Sequence, residues 1–98
     1  MRSTGPTQTA SGADRPRLAP SVRFAFDPAR ERHVLLTPES VAVLNGTAAA
    51  VVGLCDGERT VDGIVAALHG RYARVDGDEV RLLLDRLAAR RCVVLRRG

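Results

Sequence analysis

The chain has 98 residues, of which 45% are hydrophobic, 27% charged and 3% aromatic, enough for one small domain and not for a second. Nine glycines and five prolines are close to ordinary usage, which excludes a collagen-like chain and a wholly disordered one. Fifteen basic residues, all arginine, against eleven acidic ones give a net charge of +4. Nucleic acid must therefore be weighed as a partner, although a set without lysine reflects compositional bias as much as phosphate binding.

Residues 1–20 are Ser, Thr, Gly, Pro and Ala with a few charges and no periodicity. They offer too little apolar surface to offset their ordering entropy. They are expected to form a disordered arm, with 15–20 able to lie extended against a domain that occupies 21–98. From Val22 the pattern alternates, with Val22, Phe24 and Phe26 on one side and Arg23 and Ala25 on the other, the period of a half-buried strand. The turn residues Asp27, Pro28, Ala29 and Arg30 lead into a second strand over 33–37, making a hairpin. Thr37-Pro38-Glu39 breaks that run, because proline gives no N–H to a ladder. A third strand is expected over 40–44, with Val41 and Val43 on one face and Ala42 and Leu44 on the other.

Beyond Leu44 the period becomes helical. Asn45 is a good N-cap, and Ala48, Val51, Val52 and Cys55 recur at i, i+3, i+4 and i+7. Asp56-Gly57 ends this helix, with Gly57 free to adopt a left-handed conformation. Thr60 caps a second helix whose stripe is Val61, Ile64, Val65, Leu68 and Tyr72. Asp76 caps a third, with Glu79 at the reciprocal position, Val80, Leu83, Leu84 and Leu87 as its core face, and Arg90 and Arg91 complementing its C-terminal dipole. Leu82 falls about 200° from Val80 at 100° per residue, outside that face. Residues 92–95 form either a short strand or an apolar tail. The expected fold is α+β and winged helix-turn-helix-like, a three-stranded antiparallel sheet followed by a three-helix bundle. A fold this small has a narrow stability margin, to which a partner or a homodimer could add.

Cys55 and Cys92 form no C-x-x-C pair and have no histidine at metal-ligand spacing. Both stand in apolar runs and read as small buried hydrophobes of a reduced, cytoplasmic protein, with a bridge between them as the alternative that the sequence leaves open. No apolar run approaches the roughly 18 residues that span a bilayer, and 1–18 lack a signal-peptide core. His33 and His69 are placed with neither cysteine, no phosphate-loop, dinucleotide or zinc-protease pattern occurs, and the acidic pairs sit where helix starts want them. The expectation is a protein without catalysis, metal or cofactor.

Two binding modes remain. As a winged helix-turn-helix the chain would lay a helix into the DNA major groove. The third helix offers Arg81, Arg86 and Arg90, but Asp78, Glu79 and Asp85 intersperse them, and no Asn, Gln, Ser or Thr stands beside them to read bases. Alternatively, an open sheet edge beside a helix accepts an extended peptide by main-chain pairing. The segment 40–44 suits this, being uncharged and lacking edge gatekeepers.

The run Leu35-Leu36-Thr37-Pro38-Glu39-Ser40-Val41-Ala42-Val43-Leu44-Asn45-Gly46-Thr47-Ala48, followed by Leu54-Cys55-Asp56-Gly57-Glu58-Arg59-Thr60-Val61 and Ile64-Val65, resembles the pyrroloquinoline quinone biosynthesis protein D (PqqD) family. Two departures are Arg91-Cys92-Val93, where the family often has an aromatic residue, and Gly63, where an acidic residue is common. The resemblance implies a peptide chaperone without a cofactor. It would bind the precursor peptide PqqA by strand addition between the third strand and third helix, and present it to the radical S-adenosylmethionine enzyme PqqE, which joins a Glu to a Tyr carbon. Carried to this chain, the peptide-binding residues would be Ser40, Val41, Ala42, Val43 and Leu44 on the strand and Glu79, Leu82, Leu83 and Arg86 on the helix. The backbones of Val41, Ala42 and Val43 are expected to pair with the guest, and Arg81, Arg86 and Arg90 to attract an acidic one. Neither nucleic acid nor membrane is implied.

Overall fold

A computed structural model describes residues 10–71 and 76–97. In chain order the elements are β1 (Arg15–Leu18), β2 (Arg23–Asp27), β3 (Arg32–Leu36), β4 (Val41–Val43), α1 (Gly46–Gly53), α2 (Val61–His69), α3 (Gly77–Ala89) and β5 (Val93–Arg96). Strands β2, β3 and β4 make an antiparallel sheet in that order, and β1 pairs with β5 in a second, two-stranded sheet.

Each helix starts where its capping residue predicts. The Asn45 side chain accepts from the Ala48 N–H, Thr60 from Gly63 and Asp76 from Asp78, satisfying donors that have no partner within the helix. The buried faces are Ala48, Val51 and Val52 on α1, Val61, Ile64 and Leu68 on α2, and Val80, Leu84 and Leu87 on α3. They close over Leu35 of β3 in one apolar cluster that also takes in Cys55, Cys92 and Val93. Tyr72, the fifth residue of the α2 stripe, lies outside the described residues.

Of the arm expected over 1–20, the described residues 10–20 pack against the rest of the fold, with β1 in the stretch expected to lie extended. Pro16 is fully buried, and Leu18 stands opposite Val93 in the β1–β5 ladder. Upstream, the Ala10 N–H donates to the Asp85 carboxylate of α3 at 2.6 Å. The carbonyls of Gly12 and Asp14 accept from the Asp62 and Val61 N–H groups at 3.1 and 2.9 Å, satisfying donors at the start of α2. Local sequence gives no periodicity here because the segment is held by distant partners. For the same reason 93–96 is a strand: β1 supplies its neighbour.

Gly57 adopts the expected positive φ, +81°, but α1 has already ended at Gly53. Its left-handed turn serves β1, donating its N–H to the Pro16 carbonyl at 2.9 Å. A β-carbon here would stand 3.3 Å from that of Arg17. Gly57→Ala is therefore expected to cost about 1–3 kcal/mol, lowering the melting temperature by about 4–8 °C per kcal/mol in thermal unfolding. An unchanged melting temperature would contradict this seating of β1.

At the far end of α3 the Cys92 N–H reaches the Leu87 carbonyl at 2.8 Å and the Arg91 N–H that of Ala88 at 3.0 Å. With Arg91 at φ +63° this is a Schellman stop carrying arginine where glycine is usual. It turns the chain directly from α3 into β5.

Candidate functional site

β3 and β4 are joined by a two-residue turn, Pro38-Glu39. Thr37 holds it: its N–H donates to the Ser40 carbonyl at 2.9 Å, and its hydroxyl accepts from the Ser40 N–H at 3.0 Å. At the other end of β4 the Leu44 N–H donates to the His33 carbonyl at 2.9 Å. Antiparallel pairs alternate between hydrogen-bonded and non-bonded types. With Leu35 opposite Ala42 between these two bonded pairs, the backbone groups of Ser40, Ala42 and Leu44 face β3. Those of Val41 and Val43 face away, and among the described residues β4 has no second neighbour in its sheet. The expectation that Ala42 also offers its backbone at the edge is corrected by this phase.

Beside the edge lies a trough in three connected parts. A central cavity of about 490 Å³ is lined by Ala42, Val43, Leu44 and Asn45 on the strand side and by Leu83, Arg86, Leu87 and Arg90 on α3, with Ala48 at its floor. Toward the β3–β4 turn it meets a cavity of about 450 Å³ bounded by Ser40, Glu39, Arg90 and Arg91. Toward the start of α3 it meets one of about 320 Å³ bounded by Glu79, Leu82, Leu83 and Arg86. β4 and α3 thus run past one another in opposite senses.

Of the nine residues singled out in the sequence, eight line this trough: Ser40, Ala42, Val43, Leu44, Glu79, Leu82, Leu83 and Arg86. Val41 lies at the edge, and its side chain is 51% exposed. Leu82, which the helical wheel leaves off the core stripe, is also 51% exposed, whereas Leu84 is wholly buried. Arg81 departs from expectation. Its guanidinium sits 3.2 Å from Asp62 and 3.4 Å from Asp78, so it ties α3 to α2 and is not part of the trough. In the sequence Arg90 reads both as a complement to the helix dipole and, with Arg86, as a cation for an acidic guest, and Arg91 as a complement to the dipole alone. The place of Arg90 and Arg91 beside β4 follows from how α3 lies along the strand, which no local pattern encodes.

His33 and Cys55 have packing roles. His33 stacks on Phe24 with centroids 5.0 Å apart and meets Phe26 edge-on at 5.1 Å. Cys55 is buried, and its thiol donates to the Val51 carbonyl at 3.3 Å. Burial, with a smaller contribution from the Asp56 carboxylate, pushes the thiol up to about 12 from 9.0, so it is no thiolate nucleophile at neutral pH. Because the folded value is the higher, the stabilisation from keeping this thiol neutral is complete below pH 9.0 and is lost as pH rises toward about 12. In a Cys92→Ala variant, Cys55 is expected to ignore a disulfide-exchange reagent at pH near 8 until the protein is unfolded. Rapid labelling of the native protein would refute this. Among the described residues no group of three or more His, Cys, Asp or Glu is placed to hold a metal ion, and no helix is long and apolar enough to cross a membrane.

Fold and trough together define a small α+β domain with a free strand edge facing an apolar groove. Residues 32–93 match the family model described as coenzyme PQQ synthesis protein D (PqqD), and the chain belongs to that family. A PqqA binding protein of Azotobacter vinelandii is 46% identical over 70 residues, covering 71% of this chain and 76% of that one. A PqqA binding protein of Pseudomonas fluorescens is 38% identical over 82 residues, covering 82% and 90% respectively. Among solved structures, the PqqD truncation of Methylobacterium extorquens PqqCD superimposes with a TM-score of 0.69 at 38% identity over 87% of this chain and 94% of that one. It is described as a stand-alone recognition element for ribosomally synthesised, post-translationally modified peptides. The heterocyclase TruD shares the fold, with a TM-score of 0.62 at 20% identity over 84% of this chain and 11% of its own.

Proposed function

We propose that this protein is a non-catalytic, cytoplasmic peptide chaperone of pyrroloquinoline quinone biosynthesis that binds the precursor PqqA by strand addition at β4 and presents it to the radical enzyme PqqE. The observation that carries the reading is the outward-facing backbone of Val41 and Val43 beside the groove walled by α3. The PqqA binding proteins among its relatives and the recognition element of matching fold support it. The edge gives a guest four main-chain partners, two N–H and two C=O groups. At about 0.5–1.5 kcal/mol net each, these bonds supply about 2–6 kcal/mol, whereas micromolar affinity needs about 8 kcal/mol after ordering costs. Apolar burial along Ala42, Leu83 and Leu87 must supply the rest, at about 25 cal/mol per Å².

Isothermal titration with the PqqA peptide of Azotobacter vinelandii is expected to give micromolar or tighter binding, with strand-type amide shifts at Val41 and Val43. Absence of both, or a DNA gel shift that survives physiological salt, would defeat the reading. The nucleic-acid alternative has already lost Arg81 to its two carboxylate partners. The proposal requires no second copy of the chain.

A further inference from the structure

The wall that α3 presents to the trough has a charge gradient. Glu79, Leu83, Arg86 and Arg90 recur at i, i+4, i+7 and i+11, one stripe of a helix, and all four line the trough. The central cavity is lined by two guanidiniums, Arg86 and Arg90, and by no carboxylate. Asp85, the nearest acid along the chain, accepts from the Ala10 N–H, and Arg81 is held by Asp62 and Asp78. Arg86, Arg90 and Arg91 have no carboxylate partner among the described residues. Two features oppose the excess at this end: the Glu39 carboxylate in the adjoining cavity and the partial negative charge of about one half at the C-terminus of α3. Three guanidiniums outweigh both.

Spacing adds a second constraint. Arg86 and Arg90 are four residues apart, about 6 Å along the helix. Side chains on one face of an extended strand repeat every second residue, about 6.6–6.8 Å. A strand laid along β4 therefore brings alternate side chains to successive guanidiniums.

We infer that the trough selects an extended peptide with carboxylates at two alternate residues and an apolar side chain at the next alternate position, its acidic end lying at Arg86 and Arg90 and its apolar end at Leu83. The inference rests on the strand-addition reading and adds a charge class and an orientation to it. The apolar lining from Ala42, Ala48, Leu83 and Leu87 favours a peptide over a nucleic-acid backbone.

The test uses two synthetic seven-residue peptides, Thr-Val-Thr-Asp-Thr-Asp-Thr and its Lys-for-Asp counterpart, with the Azotobacter vinelandii PqqA peptide as reference. The Asp peptide is expected to bind at least about tenfold tighter than the Lys peptide, with the margin shrinking as salt rises. In Arg86→Glu/Arg90→Glu the preference should reverse. In Arg86→Gln/Arg90→Gln, which keeps the variant testable if charge reversal harms folding, the preference should vanish. If PqqA binds and is lost in Val43→Pro while the two peptides bind equally in every variant, the charge inference falls and strand addition stands. If neither PqqA nor either peptide binds the native protein, both fall. Salt-resistant binding of a mixed-sequence DNA duplex that is lost in the Gln variant would assign the guanidiniums to nucleic acid and also overturn the inference.

Discussion

Val43→Pro is expected to leave the domain folded while reducing peptide affinity by at least about tenfold, whereas Ala42→Pro is expected to damage the fold itself. The two residues are neighbours on one short strand, so composition and exposure alone do not separate their backbones. Hydrogen-bond phase does. The Val43 N–H points away from β3, so a proline ring there removes no intramolecular bond and sits at an edge, where proline is tolerated. It also puts methylene where the guest's carbonyl must approach, removing one bond and blocking its neighbour. The Ala42 N–H faces Leu35, and Leu35 is wholly buried. Proline at 42 leaves the Leu35 carbonyl without its donor, at about 1–3 kcal/mol, and forces its ring against β3. Thermal unfolding and titration with PqqA, run on both variants, check this: a folded Val43→Pro that binds as well as the native protein would remove β4 as the guest's edge. Equal melting temperatures for the two variants would contradict the phase.

The same pair shows how much of the site was legible in the sequence. Side-chain alternation over 40–44 is a period-two pattern and was readable, which is why Val41 and Val43 were assigned a common face. Backbone phase needs the pairing register, and the register is set by the Pro38-Glu39 turn with Thr37 and Ser40 as its bonded pair. That information was present in Thr37-Pro38-Glu39-Ser40, but only for a two-residue connection. The helices were legible because caps and stripes are local. β1 was not: Pro16 is buried by partners some forty and eighty residues further along the chain, at Gly57 and Leu95. Arg81 shows the converse failure. On a helical wheel it resembles Arg86 and Arg90, and only the packing of α2 against α3 turns it toward Asp62, nineteen residues earlier.

Three adjacent leucines on α3 give the second large effect. Leu84 is wholly buried in the cluster that joins the helices to Leu35, so Leu84→Ala removes its transfer free energy and leaves a cavity, together about 2–5 kcal/mol. Domains of this size have only about 5–15 kcal/mol in total. At about 4–8 °C per kcal/mol, the melting temperature should fall by at least about 8 °C, and binding should weaken only as the folded fraction does. Leu82 reverses the relation. With half its surface exposed and its place in the cavity at the start of α3, Leu82→Ala should change stability by no more than about 0.5 kcal/mol, yet weaken binding of the PqqA peptide. Leu83, half-buried and lining two of the three cavities, should show both losses, each smaller than its neighbour's. Chemical denaturation with peptide titration on the three variants separates the two roles. A Leu84→Ala cost under about 1 kcal/mol would be too small for the full burial assigned to it, and a Leu82→Ala that binds PqqA as tightly as the native protein would remove the start of α3 from the guest's path.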